Sequence, residues 1–357
     1  MSLSNSQNGI NESDLAERLG VDLGVLEAFM DASDLGNGPL TDFELLVGGT
    51  QNILVKYNRA GRSFVLRRPP LHLRASSNEV LRREARVLAA LSNSDVPHPR
   101  LIASCDEELM AGAVFYLMEP VCGFNPAMGL PEIYKESADY RHRMGIEAVS
   151  AIAKLAKVDY NLAGLSDFGS PENFVDRQPD RWISELESYS KLENYPGPEI
   201  SNLPKVAKWL QENKPGKTVF GIMHGDFHLA NMLFDYNSPR LLAAVDWEMS
   251  TVGDPLLDLG WLIATWPSEG GIKYGPAMAL TSVDGFCTPD ELIAAYGSMT
   301  GFDLTYINWY VVLACFKLGI ILEGTYARAF AKKADRSVGE LLHTITLELF
   351  NLAEKYL

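Results

Sequence analysis

The stretch from His224 to Glu248 leaves the backbone little choice. Three apolar residues, Met232-Leu233-Phe234, run into Asp235-Tyr236-Asn237-Ser238-Pro239 and then into a second apolar run, Leu241-Leu242-Ala243-Ala244-Val245. Short apolar runs on either side of turn-forming residues read as a β-hairpin. The residue before the first strand and the residue after the second then lie side by side; here they are Asn231 and Asp246. Their oxygens can converge on one cation. The preceding loop, His224-Gly225-Asp226-Phe227-His228-Leu229-Ala230-Asn231, adds a further carboxylate, Asp226. Phosphoryl transfer asks for such a set: a carboxylate beside the attacking hydroxyl and two oxygen ligands holding Mg²⁺ against nucleotide phosphates.

An Asp followed five positions later by an Asn has the spacing of a protein-kinase catalytic loop, in which the Asp orients the acceptor hydroxyl and the Asn binds metal. Asp226 is thus the expected catalytic residue, and Asn231 and Asp246 the metal ligands. His224 is read as fixing the loop through hydrogen bonds. His228, two residues beyond Asp226, is open to phosphate contact or to loop packing. Further on, Gly253-Asp254-Pro255 starts a helix, with Asp254 as N-cap and Pro255 at the first position. Asp258 falls in its apolar first turns, where a carboxylate needs a partner such as backbone N–H groups of the catalytic loop.

These motifs resemble the aminoglycoside phosphotransferase family, the choline and antibiotic kinase-like enzymes, which carry His-Gly-Asp-x-x-x-x-Asn followed by Asp-Trp-Glu. Val65-Leu66-Arg67-Arg68-Pro69-Pro70, Arg177-Gln178 with Arg181-Trp182, and Gly253-Asp254-Pro255 look like a subgroup found alone in bacteria or fused to acyl-CoA dehydrogenase domains elsewhere. The resemblance covers about residues 40 to 330 and implies an α+β, protein kinase-like bilobal fold. A small antiparallel-sheet lobe with an N-terminal helix would occupy 1–119 and a mostly helical lobe 120–357, with the nucleotide between them.

In the amino-terminal part, Gly48-Gly49-Thr50-Gln51-Asn52 precedes Ile53-Leu54-Val55-Lys56-Tyr57, a turn at Arg59–Arg62 and Ser63-Phe64-Val65-Leu66-Arg67. The resemblance makes this a phosphate-covering hairpin, with Gly48, Gly49 and Asn52 over the nucleotide. Period-two alternation puts Val65 and Arg67 on one face, Val65 to roof the adenine and Arg67 to reach the phosphates in place of the usual kinase Lys. Val80, Val87, Leu88 and Leu91 form a helical apolar stripe that includes Glu84. A carboxylate there either pairs with Arg67 or Arg68 or tilts to solvent. The apolar strand Ala113–Met118 leads to Glu119-Pro120-Val121, the family's hinge, where backbone near Glu119 and Val121 would bind the adenine edge and Met118 would guard the back of the pocket. Gln51, where the subgroup usually has Ser, and Ala156, where many relatives have His, depart from the pattern.

The chain of 357 residues carries a formal charge of -15 and a pI near 4.9, which argues against nucleic acid or an anionic membrane as partner. Cys105, Cys122, Cys287 and Cys315 occur singly, without metal-ligand spacing or a secretory leader, and are expected as reduced, buried thiols in the cytoplasm. The apolar run Trp309–Leu322 contains Lys317 and is read as a core helix too short to span a bilayer. Its continuation through Glu323, Gly324, Tyr326 and Arg328 either faces an acceptor cleft or, for Arg328, is plain surface. A short amphipathic helix is expected around Ser13–Met30.

The combined expectation is a kinase that uses ATP, GTP being undistinguished, and Mg²⁺ to phosphorylate a small-molecule hydroxyl. The resemblance suggests a hydroxyacyl-CoA or related hydroxy acid, with an aminoglycoside as the alternative. Gly225-Asp226-Phe227-His228 also superficially matches part of a metallophosphoesterase site, but no later Gly-Asn-His-Glu/Asp segment occurs. A nucleotide-binding scaffold without turnover would have no need of Asp226.

Overall fold

A computed structural model describes residues 12–46, 52–273, 280 and 283–357. They form two compact units, one running to Ser94 and including His98–Cys122, the other comprising Asp95–Pro97 and Gly123–Leu357.

The first unit opens with two helices where one was expected, α1 (Glu12–Leu19) and α2 (Leu23–Ala32). Gly20 takes a left-handed φ of 61° that ends α1, and the Asp22 side chain caps α2 by accepting from the Val25 N–H at 3.1 Å. An antiparallel sheet follows, made of β1 (Thr41–Leu45), β2 (Ile53–Arg59), β3 (Arg62–Arg68), β4 (Leu101–Met110) and β5 (Ala113–Met118) in the order β1-β2-β3-β5-β4. The β2–β3 turn holds Ala60 and Gly61 at φ 51° and 75°, the paired left-handed conformations of a tight hairpin. Leu15, Leu26 and Met30 of the two helices share a core with Phe64, Leu66 and Phe115 of the sheet. Helix α3 (Ser77–Leu91) buries Leu81, Glu84, Val87, Leu88 and Leu91, whereas Val80 is only half-buried.

The second unit is mainly helical. Its helices are α4 (Glu132–Glu136), α5 (Ala138–Ala156), α6 (Phe174–Ser188), α7 (Leu203–Glu212), α8 (Leu256–Thr265), α9 (Pro289–Thr300), α10 (Ile307–Phe330) and α11 (Arg336–Glu354). Two small ribbons carry the loops, β6 (Gly221–Met223) paired with β9 (Thr251–Gly253), and β7 (Met232–Phe234) paired with β8 (Leu241–Ala244). The β7–β8 ribbon is the expected hairpin, with Met232 opposite Ala244. Helix α8 begins at Leu256, and Asp254 still serves its start, because its Oδ1 accepts from the Leu256 N–H at 3.0 Å.

Three expectations need correction. The helix containing the apolar run extends to 24 residues and is long and apolar enough to cross a membrane, yet 78% of its most apolar window is buried inside the protein, so burial rather than length makes it a core helix. Glu323 and Gly324 do not line a cleft. Glu323 is buried between Tyr195 Oη and His343 Nδ1, both at 2.7 Å, and Gly324 packs on the Tyr189 ring. Cys105, Cys287 and Cys315 are buried as expected, but Cys122 is exposed.

Candidate active site

The His224–Asn231 loop leaves the end of β6 and is tied down by buried groups on every side. Asp258, in the first turn of α8, accepts from the His224 N–H at 2.7 Å and from the Gly225 N–H at 2.8 Å. This is the brace that a carboxylate in an apolar helix demanded. His224 is fully buried; its Nε2–H donates to the Val245 carbonyl at 3.0 Å and its Nδ1 accepts from the Asp226 N–H at 3.3 Å. One tautomer satisfies both bonds, and the imidazole clips the loop to the strand end that precedes Asp246. Gly225 has φ 85°, and a Cβ there would strike the Met249 carbonyl, so this turn requires glycine.

Within the loop the polar side chains converge. The Asn231 Nδ2 donates to the Asp226 backbone carbonyl and to its Oδ2, both at 3.0 Å, while His228 Nε2 lies 3.2 Å from Asp226 Oδ1. His228 therefore touches the carboxylate directly, and its buried Nδ1 has no hydrogen-bond partner among the described residues. The Val245 N–H donates to the Asn231 carbonyl at 2.9 Å, setting Asp246 next to Asn231, and Asp246 itself sits in the left-handed region at φ 67°. With its nitrogen spent on Asp226, Asn231 offers its Oδ1. An amide oxygen and a carboxylate side by side are hard donors that suit Mg²⁺ alongside phosphate and water oxygens.

In the first unit Arg67 Nε and Glu84 Oε2 form an ion pair at 2.9 Å, both side chains nearly inaccessible at 8% and 1%. Arg68 points to the opposite face of β3, where its Nη1 donates to the Leu19 carbonyl at 2.7 Å, so alternation along the strand decides which arginine meets Glu84. Val65 and Met118 are buried and sit directly opposite each other on β3 and β5. The Glu119 N–H donates to the Arg100 carbonyl at 2.9 Å, so that donor is already used within the first unit; Val121 is half-buried. Asn52 is half-buried just before β2, while Gly48, Gly49 and Gln51 lie outside the described residues.

The model of the phosphotransferase enzyme family matches residues 42–296. The chain belongs to this family. Its α+β architecture is the protein kinase-like fold, and it is a phosphotransferase with a small-molecule hydroxyl as acceptor. A solved protein of Ralstonia eutropha JMP134, described as an aminoglycoside phosphotransferase, is 29% identical with a TM-score of 0.77, covering 94% of this chain and 98% of that one. Aminoglycoside phosphotransferase APH(4)-Ia, solved as a ternary complex with ADP and hygromycin B, shares the fold at 15% identity and a TM-score of 0.57, covering 90% and 98%. Acyl-CoA dehydrogenase family member 11 of Homo sapiens is 28% identical over 332 residues, and member 10 of Mus musculus 27% over 314. The phosphotransferase covers 41% and 28% of those two proteins and aligns over 89% and 85% of its own length, so it spans well under half of either relative.

Burial and charge set the protonation states of the phosphotransferase loop. Burial pushes the His224 ring down to about 4, keeping it neutral. Burial raises the Asp226 carboxyl, but the hydrogen bond from His228 and the nearby positive charge of Lys317 outweigh it and hold it below the usual carboxylate range. Burial raises Asp258 to about 6 against the two N–H bonds that favour its ionised form. Lys317 was legible in the sequence only as an oddity in an apolar run. In the fold its Nζ donates to the Gly225 carbonyl at 3.2 Å, and burial lowers it to about 8 against the pull of Asp226 and Asp258.

Proposed function

We propose that the protein transfers the γ-phosphoryl group of ATP to the hydroxyl of a hydroxyacyl-CoA or related hydroxy acid. The observation that carries the phosphoryl-transfer reading is the Asp226 carboxylate held by Asn231 and His228 on a loop whose backbone is braced by Asp258. Asp226 orients the acceptor hydroxyl and takes its proton, the hydroxyl oxygen bonds to the γ-phosphorus, and the bond to the β–γ bridging oxygen breaks to release ADP. His228, against the same carboxylate, is a group for the transferred phosphate. Asn231 and Asp246 would hold Mg²⁺, which neutralises phosphate charge when bound. Arg67, set by Glu84, serves the nucleotide phosphates, and Val65, Met118, the Glu119 carbonyl and Val121 its base. In this reading residues 1–119, with Val121 just beyond them, supply the nucleotide groups and the rest of 120–357 the catalytic and acceptor groups, in a cytoplasmic enzyme.

The acyl-CoA acceptor is supported by the names of the curated relatives, and ATP by the nucleotide in the APH(4)-Ia complex. An aminoglycoside acceptor is supported by that neighbour's hygromycin B and by the acidic composition. One panel separates them: Mg²⁺-dependent conversion of ATP or GTP to the diphosphate, with phosphorylated product identified by mass spectrometry across hydroxyacyl-CoAs, aminoglycosides and amino alcohols. A phosphorylated hydroxyacyl-CoA formed by the wild type and lost in Asp226→Ala is the expected result. Phosphorylation of an aminoglycoside alone overturns the acceptor assignment, and absence of nucleotide binding overturns the whole reading.

A further inference from the structure

Two consecutive peptide groups lead into Asp226, and each is held by a side chain from elsewhere in the second unit. The first is fixed at its Gly225 N–H by Asp258 at 2.8 Å. The second, between Gly225 and Asp226, is fixed at both ends: its N–H donates to His224 Nδ1 at 3.3 Å, and its carbonyl accepts from Lys317 Nζ at 3.2 Å. Asp258 and His224 are parts of the sequence motifs. Lys317 is not; it comes from the middle of α10, where its neighbours Cys315, Phe316 and Ile320 are core residues.

A buried ammonium in such a helix is expensive unless charge and hydrogen bonding compensate it. A methionine would fill the same space without that cost. The surroundings are instead built for a cation: the ammonium lies 4.4 Å from the Trp261 ring centroid and 5.7 Å from that of Trp182, and negative charge from Asp226 and Asp258 acts on it. Trp182 is in turn held by its Nε1–H to Gln178 Oε1 at 3.2 Å, and the Gln178 amide donates to the Phe174 carbonyl at 3.1 Å. The Arg177-Gln178…Arg181-Trp182 motif, for which the phosphoryl-transfer chemistry has no direct use, thereby supplies one wall of the lysine's box.

We infer that Lys317 is a positioning residue for phosphoryl transfer, locking the Gly225–Asp226 peptide so that the Asp226 carboxylate faces the acceptor hydroxyl at a fixed angle. The inference rests on the proposed role of Asp226. Its geometry predicts that the residue governs turnover and not nucleotide affinity, because its hydrogen bond ends on the loop backbone.

The test uses MgATP hydrolysis, with water as acceptor, in the full chain and in Lys317→Met, Lys317→Arg and Asp226→Asn. Lys317→Met is expected to lower kcat by about tenfold to a hundredfold with KM for MgATP within about twofold, since a displaced catalytic group costs rate. Lys317→Arg, which keeps charge and donor, should recover most of that loss. Hydrogen exchange at the Gly225 and Asp226 amides should quicken in the Met variant while β6 stays protected. Wild-type kcat in Lys317→Met overturns the inference, as does a loss of kcat accompanied by a rise in KM and a fall in Tm. A wild type no faster than Asp226→Asn would instead show that the reading of Asp226 is wrong, and the inference falls with it.

Discussion

Replacing Asp258 by Asn separates what this carboxylate does for stability from what it does for the reaction. The carboxylate receives two backbone N–H groups, at 2.7 and 2.8 Å, in a site that is 2% exposed. Asparagine keeps one acceptor oxygen and sets its own NH₂ against the other N–H. The N–H left facing that NH₂ is buried without an acceptor, which costs about 1–3 kcal/mol. Against that, the carboxyl rises from an ordinary 3.8 to about 6, which corresponds to roughly 3 kcal/mol against burying the ionised form, a penalty the neutral amide does not carry. The two effects nearly cancel at pH 7.5. Urea denaturation should therefore place Asp258→Asn within about 1 kcal/mol of wild type, whereas Asp258→Ala, which strands both N–H groups and leaves a cavity, should lose about 2–4 kcal/mol. Turnover should fall at least about tenfold in both, because the His224–Gly225 backbone is no longer braced. An Asn variant with wild-type kcat would refute the claim that this brace positions the loop.

Other outcomes follow from the same geometry. Removing the charge in Glu84→Gln leaves the Arg67 guanidinium buried beside a neutral amide, which should cost about 2–4 kcal/mol in a denaturant titration and weaken ATP binding measured by calorimetry. His224 is held in the fold at about 4, below its ordinary 6.5, so the unfolded chain takes up a proton first on acidification. The stability it contributes above pH 6.5 should drain away as pH falls toward 4, by up to roughly 3 kcal/mol relative to a His224→Asn variant followed by urea midpoint across that window. Asp246→Ala should abolish Mg²⁺-supported turnover; full activity at ordinary Mg²⁺ would sink the metal assignment.

Much of this site was written locally. The hairpin between Asn231 and Asp246 needed only two apolar runs and a turn, and the demand of Asp258 for N–H partners followed from a carboxylate in an apolar helix start. The break at Gly20 and the Asp22 cap were also local signals, submerged by the continuing apolar periodicity of Leu15 to Met30. Cys122 fails the rule that single cysteines in apolar surroundings are buried because it lies just past the end of β5, outside the sheet's core.

Sequence alone determined the spacing of Asp226, Asn231 and Asp246, the helical and strand periods that carry them, and the family to which the chain belongs, because each depends on neighbours within a few positions. Tertiary structure decided the pairings. Glu84 could meet either of two arginines until β3 turned Arg68 toward Leu19, and Glu323 was a plausible cleft residue until Tyr195 and His343 closed over it. The Lys317 contact spans 92 residues to a backbone carbonyl, a group that every residue possesses and that no side-chain pattern can mark. Only the packing of α6, α8 and α10 around one loop gives that carbonyl a cation to accept from.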